Sequence, residues 1–466
     1  MDERTEKQRN FIPEIKKIEQ EQEKPWTIHS KEKALSISIT EGAASSVSFG
    51  FGSSFITPFA VALKANALQI GWLSALSSLA SPIAQVYGSE LMEKHPRKKI
   101  VLSYVFLELI TWLPIIALAF MFMFGIKLNL LPYLLIVLFT LSASFGAVAY
   151  PPWFSWMGDI VPENAKGKYF SKRNIAGGAT GIIATIVAAI MLDRFKELNL
   201  TLYGFITLFA LALIFRFVSL RLLRHQYSPK IKLKKSDYFS LGSFIKRFDN
   251  YGKFSLFRGL HEFSRMIAAP FFAVYMLEVL NFGYLTFIIV AMSSSAFYLL
   301  FSPLAGKFSD KYGNTKLLYI SGILAAFIPL FWLFTSAPVS LVLTFGLFGG
   351  IMNAALVIGT TNFTYDSVNK NHRGLCVSYT NLFIGLGVFI GSIFGGFLIE
   401  NLNIGFNPFF AVFILSAILR LVSTLVFIPF IKEEKAVNHL PPLQVHLSHP
   451  FQSVKAEIGW IRTIFK

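Results

Sequence analysis

Residues 257–266, FRGLHEFSRM, set two arginines, a histidine and a glutamate inside a run that is otherwise apolar. On a helix, Arg258 and Glu262 stand four apart, His261 and Arg265 stand four apart, and Glu262 and Arg265 stand three apart, so the group covers adjoining faces and can form ion pairs. A glutamate that gains and loses a proton while an arginine competes for it is one way to build proton coupling. Ionisable groups among apolar neighbours are costly and usually face a bundle interior or a cavity. Few others occur in the apolar runs: Glu41, Glu108, Arg216 and Arg420. Arg258 and Glu41 also fit positions near helix ends, where long side chains reach the interface. Arg216 and Arg420 fit either that role or interhelical pairing. His261 fits a packing role, and the face taken by Glu108 is open.

A second polar stretch, GKFSDKYGNTK at 306–316, lies between two apolar runs. Glycine there allows a tight turn, and a carboxylate can dock on the positive end of a neighbouring helix. Other chemistries are missing from the sequence. We find no phosphate-binding loop of Walker type and no His-Glu-x-x-His pair, so no enzyme, cofactor or metal is expected. A lone Cys376 excludes a disulfide framework. In GLGVFIGSIFGG, Gly387, Gly391 and Gly395 fall four apart, a spacing that lets another helix approach closely, whereas the fit of Gly385, Gly387 and Gly391 to a dinucleotide fingerprint is one residue short. Gly177, Gly178 and Gly181 repeat the small-residue pattern, and YPPWFSW at 150–156 carries prolines that could break or bend a helix. Trp153, Phe154 and Trp156 fit a cavity mouth or, more commonly, an interfacial aromatic belt.

The elements that hold these residues are membrane helices. The chain has 466 residues, 54% hydrophobic and 15% charged, with a mean hydropathy of +0.56. A helix needs about 20 apolar residues to cross a hydrocarbon core of about 30 Å. Twelve such spans are predicted, near 36–63, 67–91, 99–125, 129–157, 172–193, 200–223, 255–280, 282–304, 316–336, 339–365, 373–399 and 406–431. The runs are apolar all round, which excludes a barrel of alternating strands. Loops after the even-numbered spans hold 21 Lys and Arg, and those on the other side hold Lys64, Lys127, Arg194 and Lys196. That bias places both chain ends in the cytoplasm. The formal charge of +17 is therefore mostly an orientation signal rather than a nucleic-acid footprint.

Residues 1–35 read as a cytoplasmic tail, 36–223 as six spans, 224–254 as a basic linker that fits the anionic inner leaflet or, less commonly, a regulatory partner site, 255–431 as six more spans, and 432–466 as a second tail whose end could form a short interfacial helix. The halves repeat. At an offset of 207, Asp159 falls on Asp366, Lys166 on Arg373, Gly167 on Gly374, Ser171 on Ser378, Asn174 on Asn381 and Gly178 on Gly385. At an offset of 217, Glu93 falls on Asp310 and Lys94 on Lys311; at 212, PFAVAL (58–63) falls on PFFAVYM (270–276). Two six-helix halves in the same membrane orientation follow.

Gly306, Asp310, Lys311 and Gly313 resemble the Gly-x-x-x-Asp-Arg/Lys-x-Gly-Arg-Arg/Lys signature of major facilitator superfamily transporters, carried after helix 2 and, more weakly, after helix 8. The first-half copy departs from it, with Ser89, Glu93 and Pro96, and Asn314 and Thr315 replace the basic pair in the second. The resemblance is to the prokaryotic type. It implies an all-α fold of twelve membrane helices in two pseudo-symmetric halves, a plasma-membrane location, and a small-molecule substrate carried by alternating access, with proton coupling as an option. It also implies that spans 1 and 7 line a central cavity, and that Asp310, Glu93, Asp159 and Asp366 with Lys172, Arg173 and Arg373 latch the halves on the cytoplasmic side. We expect a monomer. Span 4 has no arginine and span 5 no Gly-Pro pair, which disfavours the proton-driven drug antiporters. A transporter-like receptor or scaffold is the rival class; an intramembrane enzyme would need a nucleophile or metal set that the spans lack.

Overall fold

The computed structural model describes residues 28–126, 128–161, 166–227, 249–368, 373–402, 405, 407–435 and 437–438. The N-terminal tail before residue 28, most of the basic linker and the proposed C-terminal interfacial helix lie outside the described residues.

Among the described residues, twelve rods make up the fold. In the first half, α1 comprises Ile28–Phe51, a 3-10 turn at Ser53–Phe55 and the short Ile56–Ala62. It is followed by α2 (Ala67–Lys94), α3 (Arg97–Met123), α4 (Leu131–Ile160), α5 (Lys166–Glu197) and α6 (Thr201–His225). In the second half, α7 comprises Asn250–Met266, Phe271–Val274 and a π turn at Tyr275–Val279. Then come α8 (Tyr284–Tyr312), α9 (Asn314–Phe334), α10 (Pro338–Leu341, a π turn at Val342–Gly346, and Leu347–Ser367), α11 (Arg373–Asn401) and α12 (Pro408–Phe427).

Among the described residues, ten helices are long and apolar enough to cross a membrane; α1 and α7 are the two that are not. Both are broken. Pro270 has no amide to bond the Met266 carbonyl, which ends the first segment of α7. Gly52, at φ −101° and ψ −84°, breaks α1 at the matching place in the first half. Pro151 and Pro152, in contrast, do not break α4, which runs through them. Helix α4 is packed between α2 and α3, and packed neighbours let a membrane helix tolerate proline.

Every major pairing in the first half recurs in the second with six added to each label. The pairs α1–α5, α1–α6, α2–α4, α3–α4 and α3–α6 correspond to α7–α11, α7–α12, α8–α10, α9–α10 and α9–α12. The halves meet along α2–α11 and α5–α8, which exchange under the same operation. Large aromatics fill the ends near the α1–α2 and α7–α8 turns: Phe59 packs on Phe205 and Phe209, and Phe272 on Trp332 and Phe413. This end is termed the odd-loop face below, and the opposite end the even-loop face.

Candidate functional site

Helix α7 begins where the Asp249 side chain accepts a bond from the Gly252 amide at 2.9 Å. Arg258 therefore sits two turns inside the helix, not at its end. Its Nη2 donates to Glu262 Oε1 at 3.2 Å, and Arg265 Nε donates to Glu262 Oε2 at 2.6 Å. The carboxylate is thus clamped by two guanidiniums. Glycines fix where this cluster lies: a Cβ on Gly387, Gly391 or Gly395 would overlap the carbonyl oxygens of Gly259, Phe263 and Ile267 respectively. The four-residue spacing is the seam along which α11 presses against the polar turns of α7. On its other side α11 presses on α2, with Gly385 against Ser78 and Gly396 against Ala67.

A cavity of about 470 Å³ opens beside the seam and lies between the halves. From the first half α2 contributes Ser77, Ser78, Ser81 and Gln85; from the second come Glu262, Arg265 and Asn381. Helix α7 lines it as expected, but α2 stands where α1 was expected. A second cavity of about 320 Å³ within the second half is lined by Arg258, Tyr251, Thr364 and Thr380, and shares Asn381 and Ile384 with the first.

Glu41 lines a separate cavity of about 200 Å³ inside the first half. It is buried because α1 starts at Ile28, which puts Glu41 more than three turns in rather than near a helix start. Its Oε2 accepts from Arg173 Nη2 at 2.9 Å and its Oε1 from Ser219 Oγ at 2.9 Å. Arg216 continues the chain, donating to Ser45 Oγ at 2.8 Å and pairing with Glu108. Two glutamates and two arginines on α1, α3, α5 and α6 therefore neutralise one another. Arg420 is also buried rather than reaching for an interface, and its three nitrogens go to Ser416 Oγ, Ala325 O and Arg265 O at 3.1, 2.9 and 3.1 Å. His261 is fully buried against Phe257. Trp156 is no belt residue: it is buried, and its indole donates to Tyr227 O at 2.7 Å. Trp153 instead lies under Arg173, 4.3 Å from ring to guanidinium, and Phe154 is exposed.

The halves are tied together at the odd-loop face by a device the sequence reading missed. Asp193, at the end of α5, accepts from the amides of Tyr284 and Leu285 at 2.6 and 2.8 Å and so caps α8 of the other half. Gly283, the N-cap residue, has no side chain to do this. Glu400, at the end of α11, accepts from the Ala67 amide at 2.8 Å and so caps α2. The two contacts are symmetry mates. Asp193 falls on Glu400 at the offset of 207 and Ala67 on Tyr284 at 217, so the repeat carried the signal.

The sequence profile of the Major Facilitator Superfamily matches residues 42–253 and again 254–463. The chain belongs to this superfamily. An uncharacterized MFS-type transporter of Methanocaldococcus jannaschii is 23% identical over 369 residues, covering 76% of this chain and 89% of the relative. Among solved structures, the nucleoside transporter NupG is similar at a TM-score of 0.62 and 18% identity, covering 85% of this chain and 99% of its own. A bacterial homologue of the iron transporter ferroportin, in an inward-facing state, is similar at 0.61 and 17%, covering 88% and 100%. At these identities the likeness is one of fold. As a superfamily member the protein is a multi-pass membrane protein and a secondary transporter.

The superfamily signature after α8 is built differently from the expected latch. Gly313, at φ +100°, makes the turn that glycine is needed for, whereas nothing lies within 4 Å of a Cβ on Gly306. Asp310 is exposed and meets Lys435 at 3.4 Å, and Lys311 lies over the Tyr312 ring at 5.4 Å. The carboxylate on the start of α9 is that of Glu433, which accepts from the Thr315 amide at 2.8 Å. Asp366 accepts from Asn314 Nδ2 at 2.8 Å, within its own half. Arg173 is turned to Glu41, and Lys172 is exposed. The side chains of Glu93, Asp159 and Arg373 lie outside the described residues.

Proposed function

We propose that the protein carries a small solute across the plasma membrane by alternating access, through the cavity that Arg265 and Glu262 share with the serine face of α2. The carrying observation is the position of that cavity: both halves line it, and carboxylate caps join the halves at the odd-loop face. The basic even-numbered loops favour a cytoplasmic position for the even-loop face and for both chain ends. Glu262 is the carboxylate in the cavity lining, so a coupling proton handed across here passes through it. The protein is not an enzyme, and acts on its solute by moving it.

Reconstitution into liposomes tests the reading. Vesicles holding the full chain are incubated with a defined mixture of sugars, amino acids, organic acids and hydrophobic cations, and their contents are read by mass spectrometry with and without a pH gradient. The wild type should accumulate at least one solute over empty liposomes, and Glu262→Gln should lose the response to the gradient. A chain whose melting temperature is raised by a solute that never enters the vesicles is a receptor.

The caps predict how the cycle is biased. Charge-assisted bonds to two backbone amides contribute about 2 kcal/mol, so Asp193→Ala should shift the closed-to-open ratio at the odd-loop face by about thirty-fold. Adding Glu400→Ala should shift it further. Distances between spin labels across that face measure both, and an unchanged distribution in the double variant removes the caps from the gate.

A further inference from the structure

Leaving aside Arg97 at the first turn of α3, which is buried against Ser155, the two halves differ in how the charges inside their helices balance. In the first, Glu41 and Glu108 match Arg173 and Arg216 one for one. In the second, the charged side chains along α7 from Phe254 to Leu277 and over the apolar lengths of α8 to α12 are Arg258, Glu262, Arg265 and Arg420. Three guanidiniums accompany one carboxylate, an excess of two positive charges.

Among the described residues none of the three arginines pairs with an acid other than Glu262. Arg420 is 1% exposed and gives its nitrogens to a serine hydroxyl and two backbone carbonyls. Arg258 gives Nη2 to Glu262, while its buried Nη1 has no hydrogen-bond partner among the described residues. Arg265 spends Nε on Glu262 and lines the cavity with a side chain that is 32% exposed. Uncompensated charge in a membrane interior is costly, and it persists where a mobile partner of opposite sign completes it. Guanidinium is the group suited to this, since its planar fork holds a carboxylate or phosphate by paired bonds. The remaining lining of Ser77, Ser78, Ser81, Gln85 and Asn381 is neutral and polar, and about 470 Å³ is room for a metabolite-sized molecule.

We infer that the solute is a small organic anion, held by its carboxylate or phosphate group on Arg265 within the positive field of Arg258 and Arg420, with its neutral part against the α2 serines. The inference rests on the transport reading above and names its substrate class.

The test uses matched pairs that differ in charge alone. Detergent-purified full chain is melted at fixed ionic strength with succinate against succinamide, lactate against lactamide, and glucose 6-phosphate against glucose, for the wild type, Arg265→Gln and Arg265→Lys. At least one anion should raise the wild-type midpoint by about 3 °C or more while its neutral partner does not. Arg265→Gln should lose that shift and Arg265→Lys keep part of it. Which pair responds separates carboxylate from phosphate recognition. Neutral partners that shift the midpoint as much as the anions, or no anion shift in folded wild-type protein, overturn the inference without reference to any variant. The vesicle assay keeps the two readings apart: a neutral solute accumulated without anion binding sinks the anion and leaves the transporter, and an anion that binds but is not carried does the reverse.

Discussion

Replacing Gly391 with leucine leaves little folded protein and no transport. A Cβ at this position would overlap the Phe263 carbonyl oxygen and sit 3.1 Å from its carbon and 3.2 Å from Met266 Cβ, so α11 must move away from α7 along its whole middle. Overpacking usually costs about 1–3 kcal/mol, and here the obstacle is backbone, which cannot rotate aside, so the upper end or more is expected. The displaced helix is the one that positions Asn381 beside Arg265, so any protein that survives should also lose solute binding. Gly178→Leu is the control, because a Cβ there meets nothing within 4 Å. Size-exclusion profiles and melting curves of the two variants decide the matter. Equal melting temperatures would mean that the α7–α11 seam is not held by close glycine contact.

Glu41→Ala has the second large effect. The carboxylate is 4% exposed and serves Arg173 on α5 and Ser219 on α6, so removing it strands a guanidinium inside the first half. Loss of one partner of a buried pair costs about 3–5 kcal/mol, chiefly because the other charge is left uncompensated. Arg173→Ala alone should cost less, since Glu41 keeps Ser219, and the double variant should cost less than the sum of the singles. A double-mutant cycle on thermal or denaturant unfolding gives the coupling, expected above about 1.5 kcal/mol. Additive effects would show that the pair contributes packing but no mutual electrostatics. A lowered melting temperature with solute binding retained is the accompanying expectation, because this network lines its own cavity and not the one between the halves.

Much of this protein was legible from the sequence, and for identifiable reasons. Ten of the twelve predicted runs form helices long and apolar enough to cross a membrane, so for these lipid thickness fixes the approximate ends without reference to neighbours. The repeat at offsets of 207 and 217 is a property of the string alone, and it holds the pseudo-symmetry that the helix pairings display. Spacing of three and four residues was enough to pair Glu262 with Arg265 and Arg258, because both partners lie on one helix and its geometry is local. The same holds for Gly387, Gly391 and Gly395, whose common face is set by helical period.

Contacts between helices were not legible in this way. Whether Arg216 reaches an interface or Glu108, and whether Arg173 turns outward to a gate or inward to Glu41, depends on which helices are neighbours and how each is rotated about its axis. The principle that a carboxylate docks on a helix N-terminus was sound, but at the signature loop Glu433 and not Asp310 realises it, and between halves it is realised by Asp193 and Glu400 on the opposite face. The gathering of the second half's excess arginines around one glutamate likewise needs three dimensions. By sequence Arg420 lies 155 residues from Arg265, and their hydrogen bond requires α7 and α12 to pack side by side. Sequence therefore determined the class, the span count, the repeat and the pairings within α7, all of which follow from local period and lipid thickness. Tertiary structure decided which charges are neutralised and which are left over, because neutralisation is a matter of distance between helices that no single-helix pattern encodes.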